Sequence, residues 1–121
     1  MGPELFAQEQ VNNNANKRRL IMAKKKELQK VVIRTYSAGC FAAELVSRKG
    51  KEAVLNRCTR LWRWNGAASL SQLATEGVKN PSDCKFSVET NGHELTEVIE
   101  IIPMTKNAWD NIKAVTPWKQ S

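Results

Sequence analysis

The chain has one histidine, His93, and three cysteines, Cys40, Cys58 and Cys84, none of them in a CxxC pair. A zinc site needs Cys and His at ligand spacing, and that spacing is missing. Unpaired cysteines of odd number fit reduced, mostly buried thiols. No apolar run approaches the ~18–20 residues that a spanning helix needs. The N-terminus has no apolar signal core, because Leu20-Ile21-Met22 is cut short by Lys24, Lys25 and Lys26. Walker and Rossmann glycine patterns are absent. His93 has neither an orienting partner nor a nucleophile beside it in sequence, and reads as a solvent-exposed turn residue next to Asn91-Gly92. These absences predict no metal, no cofactor, no catalytic residue and no membrane segment, with a cytoplasmic location.

What is present is charge, and its placement matters. The net charge is +7 over 121 residues. Residues 1–30 hold seven basic residues against Glu4, Glu9 and Glu27, whereas residues 31–121 hold twelve basic and nine acidic ones. More than half of the excess therefore lies in the first 30 residues, and the remainder is only mildly basic.

Residues 1–30 read as a basic extension. Asn12-Asn13-Asn14-Ala15-Asn16 is polar and aperiodic, which predicts disorder or a frayed helix. Codons for Lys-Arg-Arg-Leu-Ile-Met (17–22) can contain an AGGAG-type ribosome-binding sequence just before an ATG. Met22 is therefore the expected native start, and 1–21 the expected translated leader.

Residues 31–121 read as a single globular domain, with hydrophobic content (41% of the whole chain) sufficient for one modest core. Val31–Tyr36, Cys40–Arg48, Glu52–Arg57 and Thr59–Trp64 have strand composition and short Gly-containing turns, which favours antiparallel neighbours. Ser69 with Gln72 makes a capping-box pattern, Leu70, Leu73 and Ala74 share a face, and Gly77 ends that helix. Residues 84–90 alternate, Asn91-Gly92 signals a hairpin, and 93–102 are taken as a strand although Leu95, Val98, Ile99 and Ile102 also fit a helix. A last helix is capped by Thr105, buries Ala108, Trp109 and Ile112, and is stopped by Pro117, with Trp118 folding back on the core. The expected class is α+β: a small curved antiparallel sheet or open barrel of about six strands with two short helices. So small a core also predicts a homo-oligomer.

One stretch carries candidate chemistry. Strand alternation puts Arg60, Trp62 and Trp64 on one face and Leu61 and Arg63 on the other. Indole faces can stack a base while a guanidinium binds phosphate. Asn65, Gly66, Ser69 and Ser71 then surround a helix start whose free amides favour an anion. The alternatives are that the indoles fill a core or subunit interface and that the helix is simply well capped. A second basic set, Arg48, Lys49, Lys51 and Arg57 with Lys24, Lys25 and Lys26, is a nucleic-acid surface, or one of two oppositely charged faces that meets Glu89, Glu94, Glu97 and Glu100.

Val32-Ile-Arg-Thr-Tyr-Ser-Ala-Gly39, Leu61-Trp-Arg-Trp-Asn-Gly-Ala-Ala-Ser-Leu-Ser-Gln-Leu-Ala74 with Glu76-Gly77, and Thr96-Glu-Val-Ile-Glu-Ile-Ile-Pro103 resemble a family of small bacteriophage- and prophage-encoded proteins without an assigned activity. The resemblance covers roughly residues 31–118. It implies a phage origin, expression in the host bacterial cytoplasm and a start near the first strand; it brings no catalytic residue. The leading expectation is a non-enzymatic binding protein for a phosphate-bearing ligand, such as a nucleotide signal of host defence. Nucleic-acid binding, a virion or assembly role, and contact with a host defence protein are the alternatives.

Overall fold

A computed structural model describes residues 28–120. The expected leader, the Met22 start and Lys24, Lys25 and Lys26 lie outside the described residues. Among the described residues, six strands and two α-helices follow one another: β1 Lys30–Thr35, β2 Cys40–Lys49, β3 Glu52–Arg63, α1 Leu70–Glu76, β4 Lys85–Phe86, β5 His93–Leu95, β6 Val98–Pro103 and α2 Lys106–Lys113. All sheet pairings are antiparallel, in the order β4-β3-β2-β1-β6, with β5 also on β3. The fold is thus α+β with a small curved sheet that does not close into a barrel.

Both faces of the sheet are covered. Val31, Val32 and Ile33 of β1 are each fully buried, which a strand reaches only when it is packed on both sides. Val32 and Ala42 join Leu61, Phe86, Leu73, Ala74 and Ile112 beneath the helices. Val31, Ile33, Phe41 and Ala43 join Leu55, Leu95 and Val98 on the opposite, concave side. The sheet curls until the β2–β3 turn meets β6, where the Val98 amide donates to the Lys51 carbonyl at 2.9 Å.

A seven-residue helix such as α1 would not persist alone. Ser69 Oγ accepts from the Gln72 amide (3.1 Å), and Gln72 Oε1 in turn accepts from the Ala68 amide (2.7 Å). Gly77 ends the helix, its amide donating to the Leu73 carbonyl at 3.0 Å. Thr105 caps α2 and also donates its hydroxyl to the Thr75 carbonyl at 2.7 Å, so one residue starts one helix and ties it to the other. Asn111 completes the tie by bonding both the amide (2.8 Å) and the carbonyl (3.0 Å) of Val78.

Several boundaries differ from expectation. Glu52–Arg57 and Thr59–Trp64 are one strand, bent where Arg57 adopts φ 46°. Asn91-Gly92 is not a hairpin tip: Phe86 pairs with Leu61, Thr90 bridges Cys58 and His93 pairs with Leu55, so residues 85–95 run along β3 as one interrupted strand. At the interruption side chains replace ladder bonds, with Asn91 Oδ1 accepting from the Arg57 amide (2.8 Å) and Asn56 Oδ1 from the Gly92 amide (2.9 Å). The 93–102 strand is broken at Thr96-Glu97 into β5 and β6, which pair with β3 and β1 respectively. The last helix ends at Lys113, ahead of Pro117. Trp118 does return to the sheet, its amide donating to the Phe86 carbonyl at 2.8 Å, but its ring stays half exposed.

Candidate anion-binding face

β3 carries the residues of interest, and its alternation is reversed part-way. Phe41 lies opposite Arg60 and Phe86 opposite Leu61, yet Lys85 lies opposite Arg63: the register slips by one residue between Leu61 and Arg63. A slip of one flips every later side chain to the other face. Trp64 therefore packs against the cluster that contains Leu61, while Arg63 and Lys85 stand on the side of Arg60. The expected shared platform of Trp62 and Trp64 does not form. Trp62, in the bulge, is 64% exposed, whereas Trp64 is partly buried against the cluster beneath the helices.

Arg60 is the best-defined element of this face. Its guanidinium lies over the Phe41 ring, 4.9 Å from the centroid, and its backbone is held on both sides by Ser87 (N to Oγ 2.8 Å, O from N 3.0 Å). Yet its Nε is buried with no hydrogen-bond partner among the described residues. The ion pairs of those residues join Lys30–Glu44, Arg34–Glu100, Arg57–Glu89, Lys113–Glu89 and Lys106–Asp110, leaving Arg60, Arg63 and Lys85 without a carboxylate partner. An unpaired buried donor is costly, and native structures rarely keep one without a reason.

Arg60 borders an open cavity of about 190 Å³ at the rim of the concave face, between Ser37-Ala38 and the segment from His93 to Glu97. That volume suits one phosphate group rather than a whole nucleotide. His93 forms part of the wall. Contrary to expectation it is only partly exposed, because its ring packs on Phe41 (centroids 5.3 Å apart) and its Nδ1 meets Thr90 Oγ1 at 2.8 Å. Burial, helped by the Arg60 charge, holds its pKa below the usual value. Glu94 and Glu97 also line the cavity, so its field is mixed.

The residues expected around the first helix are engaged in structure. Asn65 Oδ1 accepts from Asn80 Nδ2 at 2.7 Å. Gly66, at φ 95°, passes so close to the Lys79 and Asn80 backbone that a Cβ would collide with it. The Ser69 and Gln72 side chains accept from the Gln72 and Ala68 amides, and Ser71 is exposed on α1. The glycine is thus required by chain packing, and Ser69 and Gln72 serve as caps of the helix start.

The second basic set is dispersed along the sheet. Arg48 donates to the Gly50 carbonyl at 2.9 Å, and Lys49 and Lys51 stand near the same β2–β3 turn. Arg57 pairs with Glu89 at 3.1 Å, which brings one member of the basic segment onto the acidic one. Lys113, from α2, reaches the same carboxylate at 2.9 Å, donates to Thr59 Oγ1 at 2.7 Å and to the Arg57 carbonyl, and lies 4.6 Å from the centroid of the buried Trp109 ring. The two ends of this pair shift in the same direction for different reasons. Burial lowers the Lys113 pKa despite Glu89, since its side chain is only 9% exposed. Burial alone would raise Glu89, but Lys113 and Arg57 outweigh it and hold the carboxyl low.

The Cys58 thiol is pushed up to about 11 by burial, against lowering by Lys113, Thr90 and Arg60, and Cys40 is raised by burial as well. Neither is a thiolate near neutral pH. No group of three or more metal-ligating side chains occurs among the described residues, and no helix among them is long and apolar enough to cross a membrane.

A family model described as a domain of unknown function, DUF6948, matches residues 28–112. The chain belongs to that family. The DUF6948 match takes in all six strands and most of α2, stopping just short of its last residue and of Trp118. No curated protein and no solved structure matches the chain.

Sequence reasoning found Arg60, Trp62 and Arg63 but missed Lys85, His93 and Trp118 as neighbours of the same face. Lys85 could have been found only by knowing the slipped register, and Trp118 only from the return of the C-terminal segment to β4.

Proposed function

We propose that this DUF6948 domain is a non-catalytic binding protein for a phosphate-bearing ligand, with Arg60 as the phosphate anchor. The observation that carries the reading is Arg60, whose guanidinium lies over the Phe41 ring and whose buried Nε has no acceptor among the described residues. A planar fork of donors held in place loses little entropy on meeting an oxyanion. Arg63 and Lys85 stand further along the same side. Trp62, two residues from Arg60 and about 7 Å along a strand, offers an exposed indole for a flat group.

The resemblance to phage and prophage proteins supplies the setting for this proposal, a bacterial cell under phage control, where a nucleotide signal of host defence is one ligand of the required chemistry. Thermal unfolding with a panel of inorganic phosphate, cyclic and ADP-ribose-type nucleotides and single-stranded oligonucleotides tests it. A ligand at ~100 times its Kd stabilises by about 2.7 kcal/mol. The expected result is a rise in Tm for at least one phosphate-bearing compound in the wild type and none in Arg60→Met. No shift across the panel overturns the reading.

A further inference from the structure

The geometry points to a single strand of nucleic acid as the phosphate-bearing ligand, laid from Arg60 across the β3–β4 edge to Trp118; this rests on the phosphate-binding reading of Arg60. Three observations carry it. First, Arg63 and Lys85 are opposite each other across two antiparallel strands, both exposed and neither paired with a carboxylate among the described residues. Like charges in that position oppose folding unless something outside the fold neutralises them.

Second, the cations continue beyond the cavity. Asn80 joins Asn65 through a 2.7 Å side-chain bond, and Trp118 joins Phe86 through a 2.8 Å backbone bond, so residues 62–66, 79–86 and 118–119 meet at one end of the molecule. These segments carry Arg63, Lys79, Lys85 and Lys119 against one acid, Asp83. Third, this end presents two indoles to solvent, Trp62 at 64% and Trp118 at 49% exposure, and Lys85 Nζ lies 4.9 Å from the Trp118 ring centroid. An open cationic surface with separated aromatic rings suits successive bases and phosphates of an unpaired strand. A lone nucleotide would use one ring and one or two cations and leave the rest idle.

The test is fluorescence anisotropy of a labelled oligothymidylate of about 12 nucleotides against the full chain, with Trp118→Ala and Lys85→Ala beside the wild type. The proposal expects the Trp118→Ala affinity to fall about tenfold or more. It expects Lys85→Ala to bind more weakly and to reduce the slope of log affinity against log salt by about 0.7. Melting curves show whether either variant remains folded, and sedimentation shows its oligomeric state. Salt-dependent binding unchanged in both variants places the strand on another part of the chain and overturns the inference. So does a Trp118→Ala that alters oligomeric state and not affinity. If inorganic phosphate or a mononucleotide raises Tm but no oligonucleotide binds, the inference fails while the phosphate-binding reading stands; if nothing binds, both fail.

Discussion

Replacing Arg60 by methionine should make this protein more stable while abolishing its ligand response. The guanidinium brings a buried Nε–H with no partner, and an unmade hydrogen bond of that kind costs about 1–3 kcal/mol. Against this stands the cation–π contact with Phe41 at 4.9 Å, which contributes about 0.5–1 kcal/mol at a partly exposed site. Methionine keeps an unbranched apolar stem and places a polarizable sulfur near the same ring, so the packing is largely retained. The balance is a gain of about 1 kcal/mol, or a Tm higher by about 4–8 °C for a domain of this size. Urea unfolding with linear extrapolation measures the first quantity, and calorimetry the second. The same substitution removes the positive charge that helps depress His93, so the imidazole pKa followed by NMR should move up toward its ordinary value. An Arg60→Met protein that loses about 1 kcal/mol or more would refute the reasoning, because the guanidinium would then be part of what holds the fold together.

Gly77→Ala should cost about 3 kcal/mol, since φ 78° with ψ −151° is a region nearly closed to other residues and the new Cβ would displace the Asn111 side chain from Val78. Gly50→Ala, with nothing within 4 Å, should cost only about 1 kcal/mol; equal losses in urea melts would contradict this. Lys113→Met should lose about 2 kcal/mol by stripping donors from Thr59 and Arg57, and Glu89→Gln less than about 1 kcal/mol because that carboxylate is 39% exposed; the reverse order would refute the assignment of the burden to the lysine. Because the folded His93 pKa lies below its unfolded value of 6.5, the unfolded chain takes up the proton first, so stability should fall as pH drops through the window just below 6.5. Part of that slope should vanish in His93→Gln; an unchanged stability–pH curve would count against the partly buried imidazole.

The capped elements were legible because their determinants are local. Ser69, Gln72, Gly77 and Thr105 act within four residues, and each holds the position expected of it. The strand composition of Val31–Tyr36 and Cys40–Arg48 likewise led to β1 and β2 within a residue or two. Asn91-Gly92 misled because a turn signal says how the backbone bends and not which strand its flanks will meet. Here both flanks lie on β3, and the bend answers the one at Arg57 across the ladder. His93 looked like a turn residue for the same reason, yet the strand that follows carries it onto Phe41.

By itself, then, the sequence determined the α+β class, the three helix boundaries set by caps, and the presence of cationic and aromatic residues together on one strand, since propensity and capping are properties of neighbours in the chain. Only the tertiary structure decided which of those residues share a face. A single slipped residue between Leu61 and Arg63 turns Trp64 against the core and sets Arg63 and Lys85 on the same side as Arg60. The slip follows from how β3 and β4 pair across the 21 residues that separate Arg63 from its partner Lys85. Side-chain alternation has a period of two, so no pattern within β3 alone reveals that its phase has changed.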